Sequence, residues 1–240
     1  MKKRIWELDA LRGVFMIAIM LFHLWYDLVY LFDVAELTTP LERGLYGLMN
    51  DFGGTPFLLI SGVCVTIGSR CIKRGLQVIG GGLIISAVTF GMYLLNFADK
   101  GIIIYFGVLH CIGVCMLLWP LFRKLPVPVL FVLGVVFAAV GLWLRGGVYV
   151  DFPWLIPLGL PTRSFVSSDY FPLLPNLGYF LIGAAAGLTV YQTKTSLLPG
   201  VNADHFLIRP FCFIGRNSLI FYLLHQPVLA GAVSLWLQFL

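Results

Sequence analysis

Charge is what this chain has least of. Asp, Glu, Lys and Arg make up 11% of its 240 residues, against about 25% in a soluble domain. With 60% hydrophobic residues and a mean hydropathy of +0.94, that scarcity excludes an ordinary water-soluble globule and puts most side chains in lipid. No polar stretch is long enough for a separate soluble domain, so residues 1–240 read as a single transmembrane domain. Cysteine is also sparse. Cys64, Cys71, Cys111, Cys115 and Cys212 are odd in number and form no paired framework, which argues against structural disulfides. Cys111 and Cys115 share a helix face, but two thiolates fall short of the four ligands of a structural zinc site; neither metal nor haem is expected. No repeat of fixed period is visible, which weighs against the duplicated architecture of many carriers. The opening "MKKRIW" leads into an apolar stretch reaching Phe32 with no small-residue cleavage site, and reads as an uncleaved anchor.

What remains is long apolar runs. A span needs about 20 mostly apolar residues, and seven candidates are expected at 11–32, 52–70, 76–97, 102–122, 127–145, 170–191 and 217–238. The fold class is therefore all-α, a polytopic membrane helix bundle. The connections 33–51 and 146–169 leave room for re-entrant or interfacial helices. With the N-terminus in the cytosol, eleven cations fall inside: Lys2, Lys3, Arg4, Arg70, Lys73, Arg74, Arg123, Lys124, Lys194, Arg209 and Arg216. Four fall outside: Arg43, Lys100, Arg145 and Arg163. The positive-inside rule then expects an N-terminus inside and a C-terminus outside, in a multi-pass cell-membrane protein. The net charge of +5 fits cytosolic loops beside anionic lipid and calls for no nucleic acid. Asp33, Glu36, Glu42, Asp51, Asp99, Asp151 and Asp169 gather at the outer boundary and suggest an acidic vestibule. "GAAAG" at 183–187 and "GGG" at 80–82 offer small residues for close helix packing. Pro227 is expected to kink the last span.

Against this apolar background a few polar residues stand out. "ELDALRGVFMIAIMLFHLWYD", residues 7–27, carries Arg12, His23 and Asp27 in or beside the first span. A central charge there costs roughly 2.5–3.5 kcal/mol or more. Arg12 and His23 are eleven residues apart, so they share a face about 16 Å apart along the axis. Asp27 lies one turn beyond His23 and Asp9 one turn before Arg12. Such a stripe faces protein or water. His110 and His225 each lie about 12 Å into their spans, near the depth of His23; His205 falls in a loop and is given no role. A lone intramembrane histidine is commonly an interhelical hydrogen-bonding residue, but three at one depth with a nearby carboxylate suggest a site. Neutral imidazole is a good general base near pH 7, and a carboxylate one turn away suits the tautomer-fixing role. Arg12 at the cytosolic end suits a phosphate. A proton-coupled transporter, using the same His and Asp residues as a relay, is the alternative.

The opening stretch, with arginine and histidine separated by ten residues, resembles the first-helix motif of the transmembrane acyltransferases. "FGGTPFLLISGVCVTIGSR" (52–70), "FGVLHCIGVCMLLWPLF" (106–122), "DYFPLLPNLGYFLIGAAAG" (169–187) and "FIGRNSLIFYLLHQPVL" (213–229) resemble the small bacterial relatives of heparan-alpha-glucosaminide N-acetyltransferase; type-3 membrane acyltransferases share the first and last patterns. The resemblance implies transfer of an acyl group, acetyl being expected, from cytosolic acetyl-CoA to a hydroxyl or amine outside, on a sugar or glycan. It implies that His23 acts as base or transient acyl carrier and that Arg12 helps place the donor. Joined to the residue pattern, the expected catalytic residues are His23, Asp27 and His110. Arg12, Arg216 and His225 are expected at the donor, with Arg209 beside the same basic mouth, and Asp51 and Asp169 at the acceptor. The expected partners are acyl-CoA, membrane lipid and the glycan acceptor; homo-oligomerisation is left open. The chain departs from the larger relatives in having seven expected spans rather than ten or eleven, and no histidine in the connection 33–51.

Overall fold

A computed structural model describes residues 5–239; Lys2, Lys3 and Arg4, counted among the inner cations, lie outside the described residues. Among those residues the regular structure is helical, apart from an isolated parallel bridge between Phe106 and Tyr170. The helices are α1 (Trp6–Tyr26), α2 (Pro40–Phe52), α3 (Thr55–Ile67), α4 (Cys71–Leu94), α5 (Val108–Phe122), α6 (Val127–Arg145), α7 (Leu173–Val190), α8 (Arg209–Arg216) and α9 (Ser218–Leu237). Among the described residues six apolar helical stretches are long enough to cross a membrane: Trp6–Leu31, Pro40–Ile67, Cys71–Leu94, Val127–Arg145, Leu173–Val190 and Ser218–Leu237. The chain is thus an all-helical protein built to span a membrane several times.

Two compact units divide the chain, one of Met1–Pro56 with Thr195–Leu240, the other Phe57–Lys194. In the first, α1 packs on α8 and α9. Glycine decides how closely. A Cβ on Gly13 would run into the Phe211 carbonyl, and one on Gly215 into the Asp9 carbonyl, so α1 and α8 touch backbone to backbone. The first turn of α1 is held from the loop before α8. Glu7 Oε1 accepts from the Leu197 N–H at 2.7 Å, and Glu7 Oε2 from the Ser196 hydroxyl at 2.8 Å. Beyond Tyr26 the helix widens into one π turn, Asp27–Leu31, which the Phe32 N–H closes on the Asp27 carbonyl at 2.9 Å. The connection 33–51 is largely helical, forming α2. Its start follows from Thr39-Pro40-Leu41-Glu42. The Glu42 N–H donates to Thr39 Oγ1 at 3.2 Å, and Glu42 Oε2 accepts from the Thr39 N–H at 2.8 Å, a reciprocal cap with proline where no N–H is needed. Tyr46 of α2 stacks near Phe22 and Tyr30. α9 continues as helix through Pro227 to Leu237, although Pro227 has no N–H for the Leu223 carbonyl.

In the second unit small residues again set the contacts. Cβ atoms on Gly183 and Gly187 of α7 would strike Leu59 and Val63 of α3, and one on Gly62 of α3 would strike the Phe180 carbonyl. The "GAAAG" run is therefore the seam between these helices. In "GGG", Gly82 packs against the His110 ring, while Gly80 faces open space. α6 and α7 meet through Gly134, Gly141 and Gly178. The expected span 102–122 is shortened to α5, 15 residues long. Residues before Val108 bond sideways instead. The Phe171 N–H donates to the Phe106 carbonyl at 3.0 Å, and Ser167 and Ser168 donate to the Ile103 and Ile102 carbonyls at 2.8 and 2.7 Å. Apolar β-branched residues such as Ile103 and Ile104 score as helix by hydropathy and yet suit an extended segment.

Candidate active site

In the first unit α1 and α9 bring His23 and His225 together. Their rings lie 4.7 Å apart, centroid to centroid, with planes at 65°. His225 Nε2 and His23 Nδ1 are 3.2 Å apart. The remaining contacts assign the protons. His225 Nδ1 lies 2.7 Å from the Tyr222 carbonyl, which only accepts, so Nδ1 carries the hydrogen. In the neutral ring Nε2 is then the acceptor. His23 Nδ1 must donate, and it lies against both His225 Nε2 and the Ile19 carbonyl, the latter at 3.0 Å. This leaves His23 Nε2 with its lone pair, the atom a general base needs.

Asp27 is next to this pair but bonds elsewhere. Gln226 Nε2 donates to Asp27 Oδ1 at 2.6 Å, and Asp27 is completely buried. The side chain bonded to His23 is therefore His225, and Asp27 is bonded to the next residue, Gln226. The sequence pattern alone does not single out Gln226, although a glutamine between a histidine and a proline in an apolar span, "LLHQPVL", is a visible signal.

At the other end of α1, Arg12 and Arg216 both reach Asp9. Arg12 NH1 lies 3.3 Å from Asp9 Oδ1 and 3.1 Å from the Gly215 carbonyl, and Arg216 Nε lies 3.3 Å from Asp9 Oδ2. Two guanidiniums thus share one carboxylate, on partly exposed side chains. Nearby Cys212 is buried, its thiol 3.6 Å from the Trp6 carbonyl. Burial pushes that thiol above its ordinary value, with the Arg216 charge acting in the opposite direction. Asp51 is exposed near the end of α2, its Oδ1 accepting from Asn50 at 3.3 Å.

His110 and Asp169 belong to the second unit, at the start of α5. The Gly107 N–H donates to His110 Nδ1 at 3.3 Å, so Nε2 carries the hydrogen and points at Ser86 Oγ, 3.4 Å away. Ser86 passes its own hydrogen to the Ile104 carbonyl at 2.6 Å. Asp169 Oδ2 accepts from the Val108 N–H at 3.2 Å. Both ring nitrogens of His110 are thus engaged in shaping the entry to the helix. Ser86 also lines a shallow apolar groove of about 340 Å³ with Leu83, Phe90, Ile103 and Tyr105. Among the described residues no three His, Cys, Asp or Glu side chains converge as a metal site would require.

Comparison with known proteins adds one finding. A model of the catalytic region of heparan-alpha-glucosaminide N-acetyltransferase matches residues 4–227. Curated proteins and solved structures give no match. The matched range runs from the first turn of α1 through His225 and Gln226, so it includes both halves of the imidazole pair and every site residue named above. The protein belongs to the heparan-alpha-glucosaminide N-acetyltransferase catalytic family and is by that membership a membrane acetyltransferase.

Proposed function

We propose that the protein moves an acetyl group from cytosolic acetyl-CoA to a hydroxyl or amine on an envelope sugar or glycan, with His23 Nε2 as general base. The observation carrying this reading is the His23–His225 pair, whose hydrogen bonds leave the lone pair on His23 Nε2. His23 takes the proton of the attacking hydroxyl or amine as that group bonds to the thioester carbonyl, and CoA leaves as the thiolate. His225 holds His23 in the productive tautomer. Arg12 and Arg216 receive the CoA phosphates; the gathering of the two guanidiniums at Asp9 supports this role. Arg12 precedes His23 by eleven helical residues, about 16 Å, a distance a pantetheine arm can bridge. Asp51, exposed on α2, is the candidate contact for the acceptor. Asp169 and His110 enter as groups that build the start of α5.

The same proposal keeps the chain as one transmembrane domain of seven spans, counting α5, with the N-terminus in the cytosol and the C-terminus outside. Excess Lys and Arg in alternate connections supports that orientation. The test is acetyl-CoA consumption by the purified protein in detergent, with glucosamine and hydroxylated glycans as acceptors. His23→Ala is expected to abolish acceptor-dependent release of CoA while acetyl-CoA still binds. Undiminished turnover in that variant would remove His23 from the mechanism.

A further inference from the structure

Two buried oxygens in the first unit have no hydrogen-bond partner: Asp27 Oδ2 and Gln226 Oε1. They belong to the two side chains already joined by the 2.6 Å bond from Gln226 Nε2 to Asp27 Oδ1. As a carboxylate and an amide, both unpartnered atoms are acceptors lacking a donor. A buried acceptor in that state keeps the full cost of its lost hydration, larger if it is charged. No cation relieves it. Among the described residues the ion pairs join Asp9 to Arg12 and Arg216, and none involves Asp27. The titratable side chains nearest in α1 and α9 include His23 and His225, whose ring nitrogens bond to Ile19, Tyr222 and each other, together with Tyr26 beside Asp27 and Tyr222 against the His225 ring.

Both unpartnered oxygens belong to one hydrogen-bonded pair, so a single proton on Asp27 Oδ2 would supply the donor that the pair lacks. Shared with Gln226 Oε1, it would complete a ring of two opposed hydrogen bonds. We propose that Asp27 is a neutral acid held in such a ring by Gln226, and that the pair is the positioning clamp of the two imidazoles. The chain places it for this task. Gln226 follows His225 directly, and Asp27 lies one turn beyond His23, so two parallel ties join α1 to α9 at one level. A neutral ring satisfies every polar atom in apolar surroundings, where a lone carboxylate would not last. The inference goes beyond the acyl-transfer reading and does not rest on it.

Infrared spectroscopy tests it without reference to turnover. In neutral buffer the wild-type protein is expected to show the carbonyl stretch of a protonated carboxyl, shifted by carbon-13 labelling of aspartate carboxyls and absent in Asp27→Asn. The exchanged variant Asp27→Asn with Gln226→Glu restores an acid–amide ring with the roles reversed, and the band is expected to return. Asp27→Asn can form a two-bond amide ring, so its thermal midpoint is expected to stay near wild type, while Asp27→Leu falls well below it. The labelled wild-type spectrum needs no variant to fold. An aspartate-labelled spectrum without the band, a band unaffected by Asp27→Asn, or an Asn variant as unstable as the Leu variant overturns the proposal. Loss of the acyl-transfer reading leaves the band in place, and loss of the band leaves transfer by His23 standing.

Discussion

Replacing His225 by alanine separates the base from the group that orients it. In the structure the His23 Nδ1 hydrogen has two acceptors, His225 Nε2 at 3.2 Å and the Ile19 carbonyl at 3.0 Å. His225→Ala removes the first and keeps the second. A neutral hydrogen bond contributes about 0.5–1.5 kcal/mol net, so roughly a 2- to 13-fold loss in kcat/KM is expected. His23→Ala removes the base itself, and general-base catalysis contributes about 100- to 10,000-fold. His225→Gln, whose amide oxygen can accept the same hydrogen, is expected to lie between wild type and His225→Ala. The assay is the rate of CoA release from acetyl-CoA with saturating acceptor, alongside the thermal midpoint of each variant to separate catalysis from folding. Added imidazole is expected to restore part of the rate of His23→Ala, because the side chain's absence leaves room for it. If His225→Ala falls as far as His23→Ala at unchanged stability, the proton accounting is wrong and His225 is the base.

Further outcomes follow from the other contacts. Arg12→Ala is expected to raise the KM for acetyl-CoA roughly tenfold with little change in kcat, the signature of a charge-assisted contact made equally in ground and transition states; Arg12→Lys is expected to recover only part of it, since the fork geometry is lost. A fall in kcat alone would contradict a donor-binding role. Gly215→Val drives a side chain into the Asp9 carbonyl and is expected to cost about 1–3 kcal/mol, read as a lower thermal midpoint, whereas Gly200→Ala, with nothing within 4 Å of its Cβ, is expected to be silent. Equal midpoints for the two would show that α1 and α8 do not touch there. Because burial raises the Cys212 thiol, its thiolate is scarce at neutral pH and appears only as the pH rises past the usual cysteine range. Alkylation followed by mass spectrometry is therefore expected to become fast at higher pH for Cys212 than for a free cysteine, and coincident pH profiles would refute it.

Much of the scaffold was readable because hydropathy reports burial in lipid directly. The expected span 127–145 coincides with α6, since prolines and charges bracket it sharply. The stripe of Arg12, His23 and Asp27 was readable from 3.6-residue spacing. Its pairing was not. Whether His23 meets Asp27 or His225 depends on which face α9 turns toward α1, and no periodicity within α1 encodes that. The π turn at Asp27 adds a local change of winding that a uniform helix cannot anticipate. His110 shows a different limit. The expected span 102–122 runs through it as one helix, but the helix begins only at Val108, so the ring sits at a helix entrance and accepts from the Gly107 N–H. α2 was legible in principle, as its Thr39-Pro40-Leu41-Glu42 start carries a capping signature; its polar residues Glu42, Arg43, Asn50 and Asp51 set it apart from the more apolar run that follows.

The imidazole pair joins residues 202 positions apart in the chain. At a translation rate of about 5–20 residues per second, roughly 10–40 s separate the emergence of the two partners from the ribosome. Throughout that interval the first helix waits in the bilayer with a histidine and an aspartic acid whose side-chain partners, His225 and Gln226, have not been made. Biogenesis must therefore shelter it, in the translocon or against an insertase, until the last helix arrives. Slow or interrupted synthesis of the C-terminal fifth should expose an unfinished protein to membrane quality control.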